Sequence, residues 1–108
     1  MKKVAVAAVV IFTASFLFFA AGNGATNPSM GEQAFLKHCA VCHPDGGNII
    51  NSAKTLHQKV REANGVKTTA DIVKNMRNPG PGMTPFDKKA VDDKTARAIA
   101  DYILKTFK

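Results

Sequence analysis

The 108-residue chain has no tryptophan, one tyrosine and only two cysteines. The two cysteines stand three positions apart, and a disulfide across so short a span would be strained. No second cysteine pair exists to complete a thiolate metal site. There is no dense basic run and no basic patch interleaved with aromatics. Past Lys2 and Lys3 the lysines are scattered from Lys37 to Lys108, which argues against nucleic acid as a partner. No internal repeat occurs, and no stretch alternates apolar and polar residues as a half-buried strand does. What remains is ordinary globular material, 45% hydrophobic with eight glycines. The length suffices for one domain.

The first 22 residues read as a leader. Lys2 and Lys3 form a positive start, and Val4 to Ala21 then runs without a charge into the small residues Ala20-Ala21-Gly22. This is the layout of a secretory signal peptide, with cleavage expected before Asn23 or, as a second choice, after Gly24. An apolar run of this length can also just span a bilayer, so an uncleaved membrane anchor is the alternative. Both readings export the domain at residues 23–108, to a periplasm or a lumen-like compartment. Without Lys2 and Lys3 the formal charge falls from +7 to +5. A domain this small buries a modest core and often needs a staple or a cofactor.

The mature chain reads as all-α, with about four helices. Ser29 and Glu32 form an S-x-x-E capping box opening a helix that runs to about Cys39, with Met30, Ala34 and Phe35 near one face. Pro44 to Ser52 is a turn-rich loop. A second helix is expected over 53–63, with Leu56, Val60 and Ala63 at helical spacing and Asn64-Gly65 as its stop. A third follows Thr68, which pairs with Asp71 as a second capping box, and turns Ile72, Val73 and Met76 inward. The run Asn78-Pro-Gly-Pro-Gly82 cannot continue it. A last helix starts near Asp92 and carries the apolar stripe Ala96, Ile99, Ala100, Ile103 and Phe107.

The chemistry is concentrated in Cys39-Ala40-Val41-Cys42-His43. C-x-x-C-H is the attachment signature of a c-type haem. Two thiols must reach the two vinyl groups on one porphyrin edge, and the next histidine must come up beneath the iron. Two intervening residues let one turn of chain meet all three demands. A thiol redox centre also uses C-x-x-C, but normally opens a helix after a strand, and no strand pattern precedes this motif. Zinc would need His38 or His57 as a fourth ligand, in an exported setting poorly suited to thiolate zinc. One motif implies one covalent haem with its iron.

The sixth iron ligand decides what such a haem can do. Candidates are Met83, Met76, His38 and His57. Met83 is the expected ligand, because the preceding Gly/Pro loop lets the chain reach the far haem face and few other apolar residues there need a packing partner. A thioether opposite histidine favours ferrous iron. Met76 lies one turn after Ile72 and reads as core. Without tryptophan, aromatic contact to the haem falls to phenylalanine, tyrosine or histidine.

With these residues in place, the chain resembles the class I c-type cytochromes, and within them the short cytochrome c6 and c553 type. The resemblance spans nearly all of the mature chain. It rests on Gly31-x-x-x-Phe35 before the C-x-x-C-H motif, then Gly46-Gly47-Asn48, Lys54-Thr55-Leu56, Arg77-Asn78 with Gly80, Met83-Thr84-Pro85-Phe86, and Tyr102. It implies first and last helices crossing closely, with Gly31 and Phe35 meeting Ile99 and Tyr102. It also implies axial ligation by His43 and Met83, and a monomeric one-electron carrier that docks in turn with a donor and an acceptor protein. One departure is the order Met-Thr-Pro-Phe, where the family commonly has Met-Pro-x-Phe.

The function expected is electron transport, not enzymatic catalysis. Lys88 and Lys89 are candidate borders of an exposed haem edge that would meet acidic partners. The alternatives are a haem sensor or ligand-binding protein with a labile sixth ligand, or a tethered cytochrome subunit of a larger oxidoreductase. If the porphyrin supplies much of the missing core, the haem-free chain is largely unfolded. Circular dichroism of that chain should show little helix, and a well-folded apoprotein would overturn the expectation.

Overall fold

The computed structural model describes residues 28–108. The leader and its cleavage sites lie outside the described residues. Four helices follow one another: α1 (Met30–His38), α2 (Gln58–Ala63), α3 (Thr69–Arg77) and α4 (Asp93–Thr106). A single 3₁₀ turn covers Pro44–Gly46, and there is no strand among the described residues. The all-α expectation is met, with most boundaries within a residue or two.

The caps explain the starts. Thr68 Oγ1 accepts from the Asp71 amide at 3.1 Å, while Asp71 Oδ2 accepts from the Thr68 amide at 3.0 Å, so this capping box is complete. Asp92 Oδ1 accepts from the Thr95 amide at 2.7 Å and opens α4. The Lys67 and Thr68 amides at Asp71, and the Thr95 amide at Asp92, stabilise the ionised carboxylates and hold both acids below their usual range. At the start of α1 only half of the expected box forms: Ser29 Oγ accepts from the Glu32 amide at 3.1 Å, without the reciprocal bond.

The second helix corrects the sequence reading. It begins at Gln58, not near Ala53. Asparagine side chains occupy the backbone groups that a longer helix would need. Asn48 Oδ1 accepts from the Ile50 and Asn51 amides, and Asn51 Oδ1 accepts from the Ala53 amide. Asn48 Nδ2 donates to the Lys54 carbonyl. Such local bonds offer the chain an alternative to helix. The expected stripe therefore does not exist: Leu56 precedes the helix, Ala63 is exposed, and Arg61 is the buried residue.

The core lies where α4 meets α1 and α3. Ala96, Ile99, Ala100 and Ile103 are buried on one face of α4, and Phe107 just past its end completes the stripe. Ile72 and Met76 face it from α3, with Val73 half-buried beside them. From α1 come Gly31 and Phe35, while Met30 is largely exposed. Phe35 touches Tyr102 and Phe107 with ring centroids 5.3 and 5.4 Å away. Gly31 packs directly on the backbone of α4. A Cβ there would collide with the Ala98 carbonyl oxygen and approach Tyr102 Cβ at 3.1 Å. Tyr102 is thus met as the resemblance implies, and the Ala98 backbone joins it as the surface against which Gly31 packs.

A backbone carbonyl cannot swing aside as a flexible side chain can. Gly31→Ala should therefore cost roughly 1–3 kcal/mol, the range for overpacking a tight interior. The check is denaturant unfolding of the haem-loaded protein, where a lowered midpoint at unchanged slope is expected.

Candidate functional site

The C-x-x-C-H segment forms one extra turn on the end of α1. The Cys39 and Ala40 amides both donate to the Phe35 carbonyl, at 2.8 and 3.0 Å. The His43 amide then reaches back to the Cys39 carbonyl at 2.8 Å. This winding leaves Cys39 and His43 buried, Cys42 half-buried and Val41 outside. His43 Nδ1 lies 2.7 Å from the Gly47 carbonyl oxygen. A carbonyl only accepts, so Nδ1 carries the proton and Nε2 keeps its lone pair.

Met83 comes from a loop closed at its neck. Gly82, just before it, has φ of 90°, a conformation open to glycine at little cost, and its Cα side lies against Ile50. Beyond the methionine, the Phe86 amide donates to the Met76 carbonyl at 2.8 Å, tying the returning chain to α3. Arg77, the last residue of α3, bonds the Phe86 carbonyl at 3.1 Å, the Val91 carbonyl at 2.6 Å and Asp93 Oδ1 at 2.9 Å. Hydrogen bonds from Arg77 and Lys88 hold the Asp93 carboxyl below its ordinary range. The displaced proline is accommodated: Phe86 still turns inward, edge-on to His38 with centroids 5.9 Å apart.

One cavity of about 340 Å³ brings these segments together. Its wall includes Cys39, Cys42 and His43 from the motif, Met83 from the loop, and Leu56, Val66, Ile72, Met76, Phe86 and Ile103 as apolar lining. All four sequence-predicted site residues therefore face a single space, of the size typical for cofactor sites. The residues fit a covalently held haem: two thiols and an imidazole on one turn, a thioether on a separate segment, and an apolar surround. Thr55 Oγ1 is a further sign, a buried hydroxyl with no hydrogen-bond partner on this wall. Such groups are normally satisfied in a finished interior.

The competing chemistries fare worse. Burial pushes the Cys39 thiol up to about 11, so as a free thiol it stays protonated at neutral pH. A thiol redox centre needs the opposite shift. For zinc, no group of three or more His, Cys, Asp or Glu side chains among the described residues is arranged to hold a metal ion. His57, at the N-terminus of α2, instead meets the Phe107 ring edge-on at 5.9 Å. Lys88 and Lys89 do not line this cavity. They line a separate depression beside α1 and the start of α4, with Lys88 Nζ 3.3 Å from Asp93. Lys54 is the lysine on the cavity wall.

Three residues of consequence carried no signal as site residues. Arg61 sits between Lys59 and Glu62 on a short helix and reads as solvated, Thr55 as an ordinary hydroxyl, and Arg77 as a helix-end charge. Only the fold turns them inward.

The arrangement defines a small helical domain wrapped about a prosthetic-group cavity with a C-x-x-C-H wall. The family described as cytochrome c oxidase, cbb3-type, subunit III matches residues 26–103. Cytochrome c6 of Cyanidium caldarium is 33% identical, over 94% of this chain and 86% of the relative. Cytochrome c6 of a Synechocystis strain is 38% identical, over 80% and 72%. Among solved structures, the outer membrane cytochrome OmcF of Geobacter sulfurreducens has a TM-score of 0.71 at 42% identity, covering 72% of this chain and 99% of that one. Cytochrome c6C of a Synechococcus strain has 0.69 at 26%, covering 73% and 95%. The chain belongs to this family of class I monohaem c-type cytochromes, with cytochrome c6 among its relatives. It is an electron carrier that binds one covalent c-type haem with its iron.

Because Arg77 holds both the neck of the Met83 loop and the entry to α4, Arg77→Met should destabilise the loaded protein by roughly 1.5–3 kcal/mol, the value of charge-assisted bonds lost from part-buried carbonyls. Denaturant midpoints of the two proteins give the comparison.

Proposed function

We propose that this chain is an exported electron carrier and not an enzyme, with its haem linked through Cys39 and Cys42 and its iron ligated by His43 and Met83. The observation that carries the reading is the shared cavity wall, on which two distant segments place these four side chains. The bound haem iron supplies the one-electron chemistry, alternating between ferrous and ferric states.

The chain's own residues keep that change small. The Gly47 carbonyl fixes the tautomer and orientation of His43. The Met76–Phe86 bond and the Arg77 contacts hold the Met83 loop. With both ligands held, little must move when an electron arrives. Ile72, Met76 and Ile103 exclude water, and a thioether ligand with a buried setting favours the reduced state. Met76 also lies on the wall, but it is packed into the core and its own carbonyl anchors Phe86, which favours Met83 as the ligand.

A haem bound here would exchange electrons where the cavity reaches the surface. Val41 and Ile50 both line it and are 75% and 62% exposed. Donor and acceptor proteins then meet an apolar rim with Lys54 nearby, rather than the pair Lys88 and Lys89. Export follows from the leader-like residues 1–22. No helix of the described residues is long and apolar enough to cross a membrane.

Ferric haem bound by methionine has a weak far-red sulfur-to-iron band. It should be present in the protein and lost in Met83→Ala, whose reduced form should bind carbon monoxide rapidly. Rapid carbon monoxide binding by the unaltered reduced protein, with no such band, would favour the sensor reading instead.

A further inference from the structure

Arg61 is 3% exposed, and arginine is almost never buried so far without an anion. Its Nε donates to the Leu56 carbonyl at 2.6 Å and its Nη1 to the Val66 carbonyl at 3.3 Å. These bonds orient the guanidinium but leave its charge uncompensated. Among the described residues the ion pairs are Arg77–Asp93 and Lys88–Asp93, and neither involves Arg61. The neighbouring acid on α2, Glu62, is exposed and accepts from Gln58.

Arg61 lines the same cavity as Cys39, Cys42, His43 and Met83. So does Thr55, whose Oγ1 is buried without a partner. The amides beside them are already engaged: Asn64 Nδ2 donates to the Ala53 and Val60 carbonyls, and Asn48 to the Lys54 carbonyl. The wall thus holds a buried cation, bonded to the carbonyl of the residue after Thr55, an unused hydroxyl on Thr55 itself, and no protein carboxylate. The cavity expects an anion with oxygen acceptors.

Haem carries two propionate carboxylates. We infer that Arg61 is the buried counter-charge of one haem propionate, with Thr55 Oγ1 donating to the same carboxylate. This rests on the haem reading above. The pairing compensates both charges inside the protein, where a lone buried charge is costly and a charge-assisted hydrogen bond is strong. It also makes Arg61 a positioning residue that tunes the iron. Without the guanidinium, the uncompensated propionate charge stabilises ferric iron, and the reduction potential falls.

The test uses the haem-loaded protein and the variants Arg61→Met, Arg61→Lys and Thr55→Val. Spectroelectrochemistry gives the potential, and redox-difference infrared spectra give the propionate stretch. Arg61→Met should shift the ferrous-to-ferric ratio at fixed ambient potential about tenfold toward ferric, or about 59 mV for one electron. Arg61→Lys should restore most of it, since it keeps the charge while losing the fork that binds the two carbonyls. Thr55→Val should shift the ratio the same way by a smaller factor and move the propionate stretch. An orphan hydroxyl without a propionate partner predicts the opposite for Thr55→Val: a more stable protein with unaltered potential and infrared bands. Wild-type values in both Arg61→Met and Thr55→Val overturn the assignment. Should Arg61→Met fail to hold haem, Thr55→Val decides alone, a shift supporting the pairing and unaltered values overturning it. A wild-type chain with no covalent haem by its pyridine haemochrome spectrum would sink the haem reading itself, a result separable from every variant outcome.

Discussion

Gly31 lets α1 rest on the backbone of α4, and the position of the C-x-x-C-H turn follows from that approach. The turn is a direct continuation of α1, fixed by two amides that share the Phe35 carbonyl. Phe35 is itself seated against Tyr102 and Phe107 at the end of α4. A side chain at position 31 would lift α1 and carry Cys39, Cys42 and His43 with it. One absent methyl group therefore sets where the cofactor wall stands relative to α3 and the Met83 loop.

The rest of the chain behaves as a frame around a hollow. In most domains apolar side chains meet one another at the centre. Here Leu56, Ile72, Met76 and Ile103 present part of their surface to a shared space. The loops are correspondingly over-determined. Asn48 alone makes bonds to Lys54, Ile50 and Asn51, and Arg77 serves two carbonyls and a carboxylate. Irregular segments that carry ligands to a cofactor need such ties, because they cannot rely on a helix to hold their shape.

How much of this the sequence disclosed depended on whether the signal was local. The motif, the Thr68–Asp71 box, the α4 stripe and the breaking of α3 by Pro79 and Pro81 all depend on neighbours within a few residues, and each was legible. The start of α2 was not, since asparagine side chains and the Phe107 carbonyl decide it. Arg61 was invisible for a related reason. One charge among Lys59, Arg61 and Glu62 on a six-residue helix looks solvated until the fold buries it. The two lysines after the Met83 loop were ambiguous: nearness in sequence made them candidates for the haem edge or for plain solvated charge, and the chain sets them beside α1.

On the proposed attachment through Cys39, its burial imposes an order on biogenesis. Forming a thioether requires the sulfur to meet a vinyl group, its hydrogen passing to the neighbouring carbon. A thiol enclosed beside Phe35, and held protonated by its surroundings, is poorly placed for that addition. The bond must be made while the chain is still open, and closure of α1 against α4 then seals it. On the proposed attachment, the thioether outlasts even unfolding of the domain, so the cofactor would stay with the chain that first received it.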